Sequence, residues 1–247
     1  MAETTEIAEF SDRTIEVTCS ITGKPFTVKQ YRWGGMWCPN PDEWTHPDEQ
    51  DRLIAEEKKA KLEMEDKARA DLTNKWIEDN VPKALRETDP NHDSLDRESY
   101  RKAIDWRYKG RGLVLDGKIR KGKTRAMYQI AMRFAQRGIM PVIKTAEQMH
   151  RDLVTAIMKD QAEHEHKMAI YADCEILFID DLGKEVVSKR TQSDFFEIVS
   201  QRCDMEKPMV ITSNFTKSTL VNRYPDRVSA ESMYERIRET CDSIKFR

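Results

Sequence analysis

No apolar run in the sequence is long enough to span a bilayer, and the N-terminus has no charged segment leading into an apolar one. A helical membrane protein and a secretory leader are therefore not expected, and the expected compartment is the cytoplasm. Cysteine is scarce and badly placed for cross-linking. The five, Cys19, Cys38, Cys174, Cys203 and Cys241, are odd in number, widely spaced and form no CxxC pair, so no disulfide framework is expected. An excess of one charge is missing as well. The formal net charge is -2 although 35% of the residues are charged. Nothing attracts nucleic acid globally, and any DNA contact must come from a local basic patch.

What is present is a chain of 247 residues, room for one α/β domain with an appendage or for two small domains. Residues 1–12 are acidic and polar and read as a frayed end. From Thr14 on, Ile15, Val17, Cys19 and Ile21 alternate with polar residues, Thr22-Gly23-Lys24-Pro25 reads as a turn, and Phe26-Thr27-Val28 reads as the returning strand of a hairpin. The aromatic residues Tyr31, Trp33, Trp37 and Trp44, interleaved with Gly34-Gly35, Pro39, Pro41 and Pro47, complete a small aromatic-cored β module over 1–47. Such a module is a natural place for a surface that binds a partner or DNA. Cys19 and Cys38, even with His46, fall short of the four ligands of a structural zinc.

Residues 48–80 contain neither glycine nor proline and are dominated by Glu, Lys, Asp, Ala and Arg, which predicts a charged linker helix. Leu53, Leu62, Met64 and Leu72 sustain no heptad, so a coiled coil is not expected. Val81-Pro82 breaks the helix and Thr88-Asp89-Pro90-Asn91 turns the chain. Ser94 or Asp96 then caps a short helix running through Tyr100, Ala103, Ile104 and Trp106. A third region, 81–247, begins here.

Leu113-Val114-Leu115 reads as a buried strand. It leads into Asp116-Gly117-Lys118-Ile119-Arg120-Lys121-Gly122-Lys123-Thr124, and then a helix with an apolar stripe at Met127, Ile130, Ala131 and Phe134. This is a P-loop. A triphosphate needs backbone N-H groups that can turn inward, a long cation and a hydroxyl for magnesium. Gly117 and Gly122 permit the first, Lys123 supplies the second and Thr124 the third. Residues Gly117 to Arg125 are the expected nucleotide contacts, with the helix dipole aimed at the anion.

Pro141-Val142-Ile143 reads as a second strand and Ile176-Leu177-Phe178-Ile179 as a third, buried on both faces and ending in Asp180-Asp181. Carboxylates at the C-terminal end of such a strand sit where open α/β sheets place ligand chemistry. Asp180 is expected to hold Mg²⁺ beside Thr124, and Asp181 to polarise the attacking water. Between these strands, His164 and His166 at i and i+2 share no helix face and read as a solvated helix end. Pro208-Met209-Val210-Ile211 forms a fourth strand ending in Thr212-Ser213-Asn214, where the Asn214 amide can sense the γ-phosphate or a water. Arg223, Arg227, Arg236 and Arg238 precede a fifth strand, Ser243-Ile244-Lys245-Phe246. They read as solvated surface, a phosphate-neutralising finger or a DNA patch.

The succession of Gly117 to Thr124, Ile176 to Gly183, Val210 to Phe215 and Glu235 to Phe246 resembles the AAA+ ATPases, and more narrowly the DnaC-type replicative-helicase loaders and their IstB-type transposition relatives. Arg202, in Ser-Gln-Arg, also stands where that family often has an arginine. The resemblance covers residue 78 onward. It implies a three-layer α/β/α P-loop NTPase domain of AAA+ type with a five-stranded parallel sheet, preceded by the β module and the linker helix. It also implies ATP and Mg²⁺ as ligands, Asn214 as sensor and Arg236 as a finger acting in trans, so that the catalytic set is Lys123, Asp181, Asn214 and Arg236. The implied partners are a DnaB-type replicative helicase, single-stranded DNA and further copies of the chain in a ring or spiral, with no membrane. The compartment would be bacterial cytoplasm, a host's if the chain is phage-encoded. In this reading ATP binding assembles a loader on DNA and hydrolysis releases it. The alternatives are a transposition helper ATPase on duplex DNA and a nucleotide-binding adaptor with little turnover. Two departures stand out: the loop interior Lys118-Ile119-Arg120-Lys121 lacks the usual proline and small residues, and Asp181 stands where many relatives have glutamate.

Overall fold

The computed structural model describes residues 12–19, 23–33, 36–39, 47–87, 89, 92, 94–185 and 188–247. It divides into two compact units, Met1–Ala68 and Arg69–Arg247. In the first, β1 (Asp12–Thr18), β2 (Pro25–Trp33) and β3 (Met36–Pro39) form an antiparallel sheet in that order. The hairpin expected from the alternation is there, with Ile15 opposite Val28 and Val17 opposite Phe26. β3 was not legible as a strand. Its Trp37 lies beneath the Arg13 guanidinium, 4.4 Å from the ring centroid, and Arg13 also donates to Gln30 Oε1 at 2.9 Å. Trp44 and His46, which entered the expectations for this module, lie outside the described residues.

α1 (Pro47–Asn80) is the charged helix, continuous over 34 residues. Residues 69–80 accompany the second unit, where the Thr73 hydroxyl donates to the Ala135 carbonyl at 3.2 Å. α2 (Lys83–Arg86) is a single turn, and α3 (Arg97–Asp105) is capped by Asp96, whose side chain accepts from Ser99 N. Then come β4 (Gly112–Gly117), α4 (Lys123–Gln136), β5 (Val142–Thr145), α5 (Ala146–Lys159), α6 (Gln161–Asp173), β6 (Leu177–Leu182), α7 (Lys189–Asp204), β7 (Met209–Ser213), α8 (Lys217–Val221), α9 (Arg227–Thr240) and β8 (Cys241–Phe246). The five strands lie in the order β5-β6-β7-β4-β8, all parallel.

Alternation along the strands builds a core on each face of the sheet. Leu113, Leu115, Phe178 and Val210 pack with α3 and α4, including Met127, Ile130, Ala131 and Phe134. Leu177, Ile179, Met209 and Ile211 pack with α5, α6, α7 and α9. Side chains of this kind, fully buried, stabilise the fold by roughly 1.5–3 kcal/mol each. The result is a three-layer α/β/α domain.

One sequence reading needs correction. The polar segment around His164 is not a solvated helix end. It is the first half of α6, and His164 is buried with Nε2 3.2 Å from Asp194 Oδ2, whereas His166 is exposed. Arg202 is buried completely and serves the fold. Its guanidinium donates to the carbonyls of Tyr171 (2.9 Å), Ala172 (3.2 Å), Cys174 (2.9 Å) and Pro208 (2.7 Å). It thereby seals the C-terminal end of α6 and ties it to the entrance of β7.

The loop after β4 carries left-handed backbone at Gly117 (φ 124°), Arg120 (φ 59°) and Gly122 (φ 100°). Glycine is required at the first, where a Cβ would stand 1.9 Å from the Phe246 carbonyl oxygen. Arg120 meets no such need, and its exposed side chain adopts the left-handed region at a cost.

Arg120→Gly should therefore stabilise the protein by roughly 0.5–1 kcal/mol, read as a small rise in melting temperature; a fall would mean that contacts of the arginine outweigh the backbone strain. Arg202→Ala leaves several carbonyls without a donor and should cost about 3 kcal/mol or more. Urea unfolding checks this, and a loss under about 1 kcal/mol would sink the sealing role.

Candidate nucleotide-binding site

β4 ends at Gly117 and α4 opens at Lys123, so residues 118–122 turn the chain from strand to helix at the C-terminal edge of the sheet. The N-cap is Gly122 and no side chain caps the helix. Its first N-H groups and the positive end of its dipole are left for an anion. They open on a cleft of about 600 Å³.

Lys123 is only 5% exposed. Burial holds its ammonium below the ordinary lysine range, against the pull of Asp181, Asp116 and Asp180. Its Nζ donates to the carbonyls of Gly117 (3.0 Å) and Lys118 (2.6 Å). Thr124 Oγ1 donates to Asp180 Oδ1 at 2.9 Å, and the same carboxylate oxygen accepts from Thr212 Oγ1 at 2.5 Å. Asp180 is buried, and burial pushes its pKa up; the Thr212 hydroxyl opposes the shift, the Asp181 charge adds to it and the Thr124 hydroxyl opposes it.

Asp181 adopts φ 60°, which turns its carboxylate away from the strand and into the cleft. Its N-H donates to Thr212 Oγ1 at 2.9 Å, Oδ1 accepts from Asn214 Nδ2 at 3.2 Å and Oδ2 lies 2.7 Å from Lys184 Nζ. Thr212 thus grips both acids at once, accepting from one backbone and donating to the other side chain.

The structure brings most of the expected residues together. Ile119, Arg120, Lys121, Gly122, Lys123, Thr124 and Arg125 line the cleft with Asp181 and Asn214, and Asp180 lies beneath Thr124. Gly117 and Lys118 stand behind, with their carbonyls on Lys123. Arg236 is elsewhere, on α9, where it pairs with Asp204 at 2.8 Å. Sequence reasoning did not single out Thr212 or Lys184. A hydroxyl directly after the apolar run Met209 to Ile211, still within the buried strand, was the available signal for Thr212. Nor did it find the wall contributed by Leu85, Asp89, His92, Ser94 and Leu95.

The donor set fits a nucleotide with a hard divalent cation. A threonine hydroxyl and a carboxylate oxygen face each other at 2.9 Å, which is oxygen chemistry suited to Mg²⁺. Beside them are a lysine, an uncapped helix N-terminus and a loop that close packing keeps free of side-chain bulk at Gly122, where a Cβ would stand 2.3 Å from Leu95 Cδ1.

Comparison with known proteins agrees with this geometry. The family described as IstB-like ATP binding protein matches residues 42–247. An ATP-binding protein in an insertion sequence of Mycobacterium tuberculosis is 25% identical over 142 residues, 58% of this chain and 56% of that protein. The replicative helicase loader DnaI of Bacillus subtilis is 28% identical over 137 residues, 52% of this chain and 43% of that protein. The chain spans about half the length of these curated relatives. A crystal structure of DnaI matches with a TM-score of 0.55 at 25% identity, over 68% of this chain and 95% of that one. The fold is that of the AAA+ P-loop NTPases, and over residues 42–247 the chain belongs to the IstB-like ATP-binding protein family.

Proposed function

We propose that this protein is an ATPase that loads a replicative helicase onto single-stranded DNA. The observation that carries the chemistry is the convergence of Lys123, Thr124, Asp180, Asp181 and Asn214 at one end of one cleft. Lys123 meets the β- and γ-phosphates, and the α4 N-terminus adds backbone donors to them. Thr124 and Asp180 hold Mg²⁺, which when bound neutralises charge developing on the phosphates. Asp181 orients the water for in-line attack on the γ-phosphorus, and Asn214, bonded to it, reads whether the γ-phosphate is present. Water's oxygen forms the new P–O bond, the bond to the β-phosphate oxygen breaks, and ADP and phosphate leave.

Arg236 completes the site of a neighbouring copy. Its place on α9, outside the cleft of its own chain, is consistent with action in trans. Catalysis would then require an assembly with ATP at the subunit interfaces, a ring or spiral around DNA. The helicase as partner rests on the likeness to DnaI in sequence and structure. A second reading, a transposition helper acting on duplex DNA with a transposase, is favoured by the family match and by the insertion-sequence relative.

Lys123→Ala should weaken nucleotide binding by roughly a hundredfold or more. Arg236→Ala should keep binding and lose DNA-stimulated hydrolysis. Equilibrium binding of a fluorescent ATP analogue and a phosphate-release assay check the pair, and normal hydrolysis by Arg236→Ala would overturn the finger. The partner is tested by mixing the protein with ATP and a purified hexameric replicative helicase. Co-migration, with preference for single strands at controlled salt, supports the loader; preference for duplex and no helicase binding selects the transposition reading.

A further inference from the structure

The P-loop is held from outside at both of its ends, by two residues far apart in sequence that are joined to each other. At its start, Lys118 N-H donates to the Phe246 carbonyl at 3.1 Å, and Gly117 lies flat against that same carbonyl. Towards its end, the Lys121 carbonyl accepts from Asp96 N-H at 3.2 Å. Asp96 Oδ2 in turn accepts from the Arg247 N-H at 2.8 Å. The bonds therefore close a ring that runs from Lys118 to Phe246, along the backbone to Arg247, across to Asp96 and back to Lys121.

The rest of the Asp96 side chain is also engaged. Oδ1 accepts from Ser99 N at 3.2 Å as the N-cap of α3. Oδ2 lies 2.9 Å from Ser99 Oγ, a hydroxyl that stands equally 2.9 Å from the Lys245 carbonyl. The Lys245 carbonyl and the Arg247 N-H, at i and i+2, are the pair that an added parallel strand would engage. Side chains of the α3 cap fill that place, so the upper end of the edge strand β8 is closed and its position under the loop is set.

We propose that Asp96 is a positioning residue for the P-loop: through its carboxylate it fixes the C-terminal strand end and α3 to each other, and so fixes the span between Lys118 and Lys121 on which the convergence of the loop's N-H groups depends. The inference rests on the nucleotide-binding reading given above. The two oxygens do separable work, one capping the helix and one closing the ring. Asparagine caps as well as aspartate does, but it has only one acceptor oxygen and its NH₂ faces the Arg247 N-H donor to donor. Asp96→Asn therefore opens the ring and keeps the cap.

The test measures, on the full chain, the dissociation constant of a fluorescent ATP analogue with Mg²⁺, turnover at saturating ATP and melting temperature. Asp96→Asn should melt within a few degrees of the wild type, bind nucleotide about tenfold more weakly and keep its saturated turnover. Asp160→Ala, which removes the cap of α6 through the Glu163 N-H far from the loop, should lower the melting temperature and leave the dissociation constant unchanged. Wild-type affinity in Asp96→Asn overturns the inference while the functional reading stands. Equal weakening in Asp160→Ala overturns it as well, because the effect is then one of general stability. If the wild type itself binds no nucleotide, the functional reading falls and this inference with it.

Discussion

Every strand of the parallel sheet is entered from a helix: α3 leads into β4, α4 into β5, α6 into β6, α7 into β7 and α9 into β8. Helix C-termini with their unpaired carbonyls therefore crowd the edge at which the strands begin, and helix N-termini gather at the other. The crowded edge has to be satisfied by donors from outside the helices, and the chain uses its long basic and phenolic side chains for it. Arg202 closes α6. Arg111 closes α9 through the carbonyls of Arg238, Glu239 and Cys241. Arg107 and Arg133 close α3 through Ile104 and Trp106, and Tyr108 reaches the Glu206 carbonyl beyond α7 at 2.6 Å. Arg133 is buried enough for its pKa to be pushed down to about 10, with Arg107 and Arg137 adding to the effect. These basic side chains are thereby held in the fold, and at the opposite edge the N-terminus of α4, which no side chain caps, keeps its N-H groups for an anion.

That division explains what could be read from sequence and what could not. The P-loop, the acids closing β6 and the amide closing β7 are each local, a few residues in a row whose spacing implies their geometry. That the sheet is parallel follows from apolar strands alternating with helices, whereas its order, with β4 between β7 and β8, was not legible. Arg202 was not legible because its partners at 171–174 lie a full helix away, and nothing in Ser-Gln-Arg distinguishes an arginine aimed at carbonyls from one aimed at solvent. His164 failed for the same reason. Its polar neighbours speak for exposure, and only packing of α6 on α7 brings Asp194 to it. Asp96 was legible as one of two candidate helix caps, beside Ser94, and it is the cap; that its second oxygen reaches Arg247 depends on β8 lying at the sheet edge beside α3.

Within the site itself the buried lysine and the two acids already have partners. Lys123 is held by two loop carbonyls, Asp180 by two threonine hydroxyls, and Asp181 by Asn214 and Lys184. A nucleotide entering the cleft competes with these bonds. The bonds it displaces are themselves charge-assisted, and one of them is the Asp181–Lys184 ion pair, so its affinity comes from the difference between two sets of charge-assisted contacts. Exchange of this kind keeps buried groups from being stranded whether or not the cleft is filled. Geometry counts beside the number of cations, because N-H groups hold an anion together only where they converge. Lys118 and Arg120 are exposed at the surface of the loop and add little to that convergence. What sets it is the backbone course between Gly117 and Gly122, and that course is fixed by Phe246 below and Asp96 beside it. The basic interior fits this loop because its course is held through main-chain atoms, the Lys118 N-H and the Lys121 carbonyl, whose contacts do not depend on which side chains stand between the glycines.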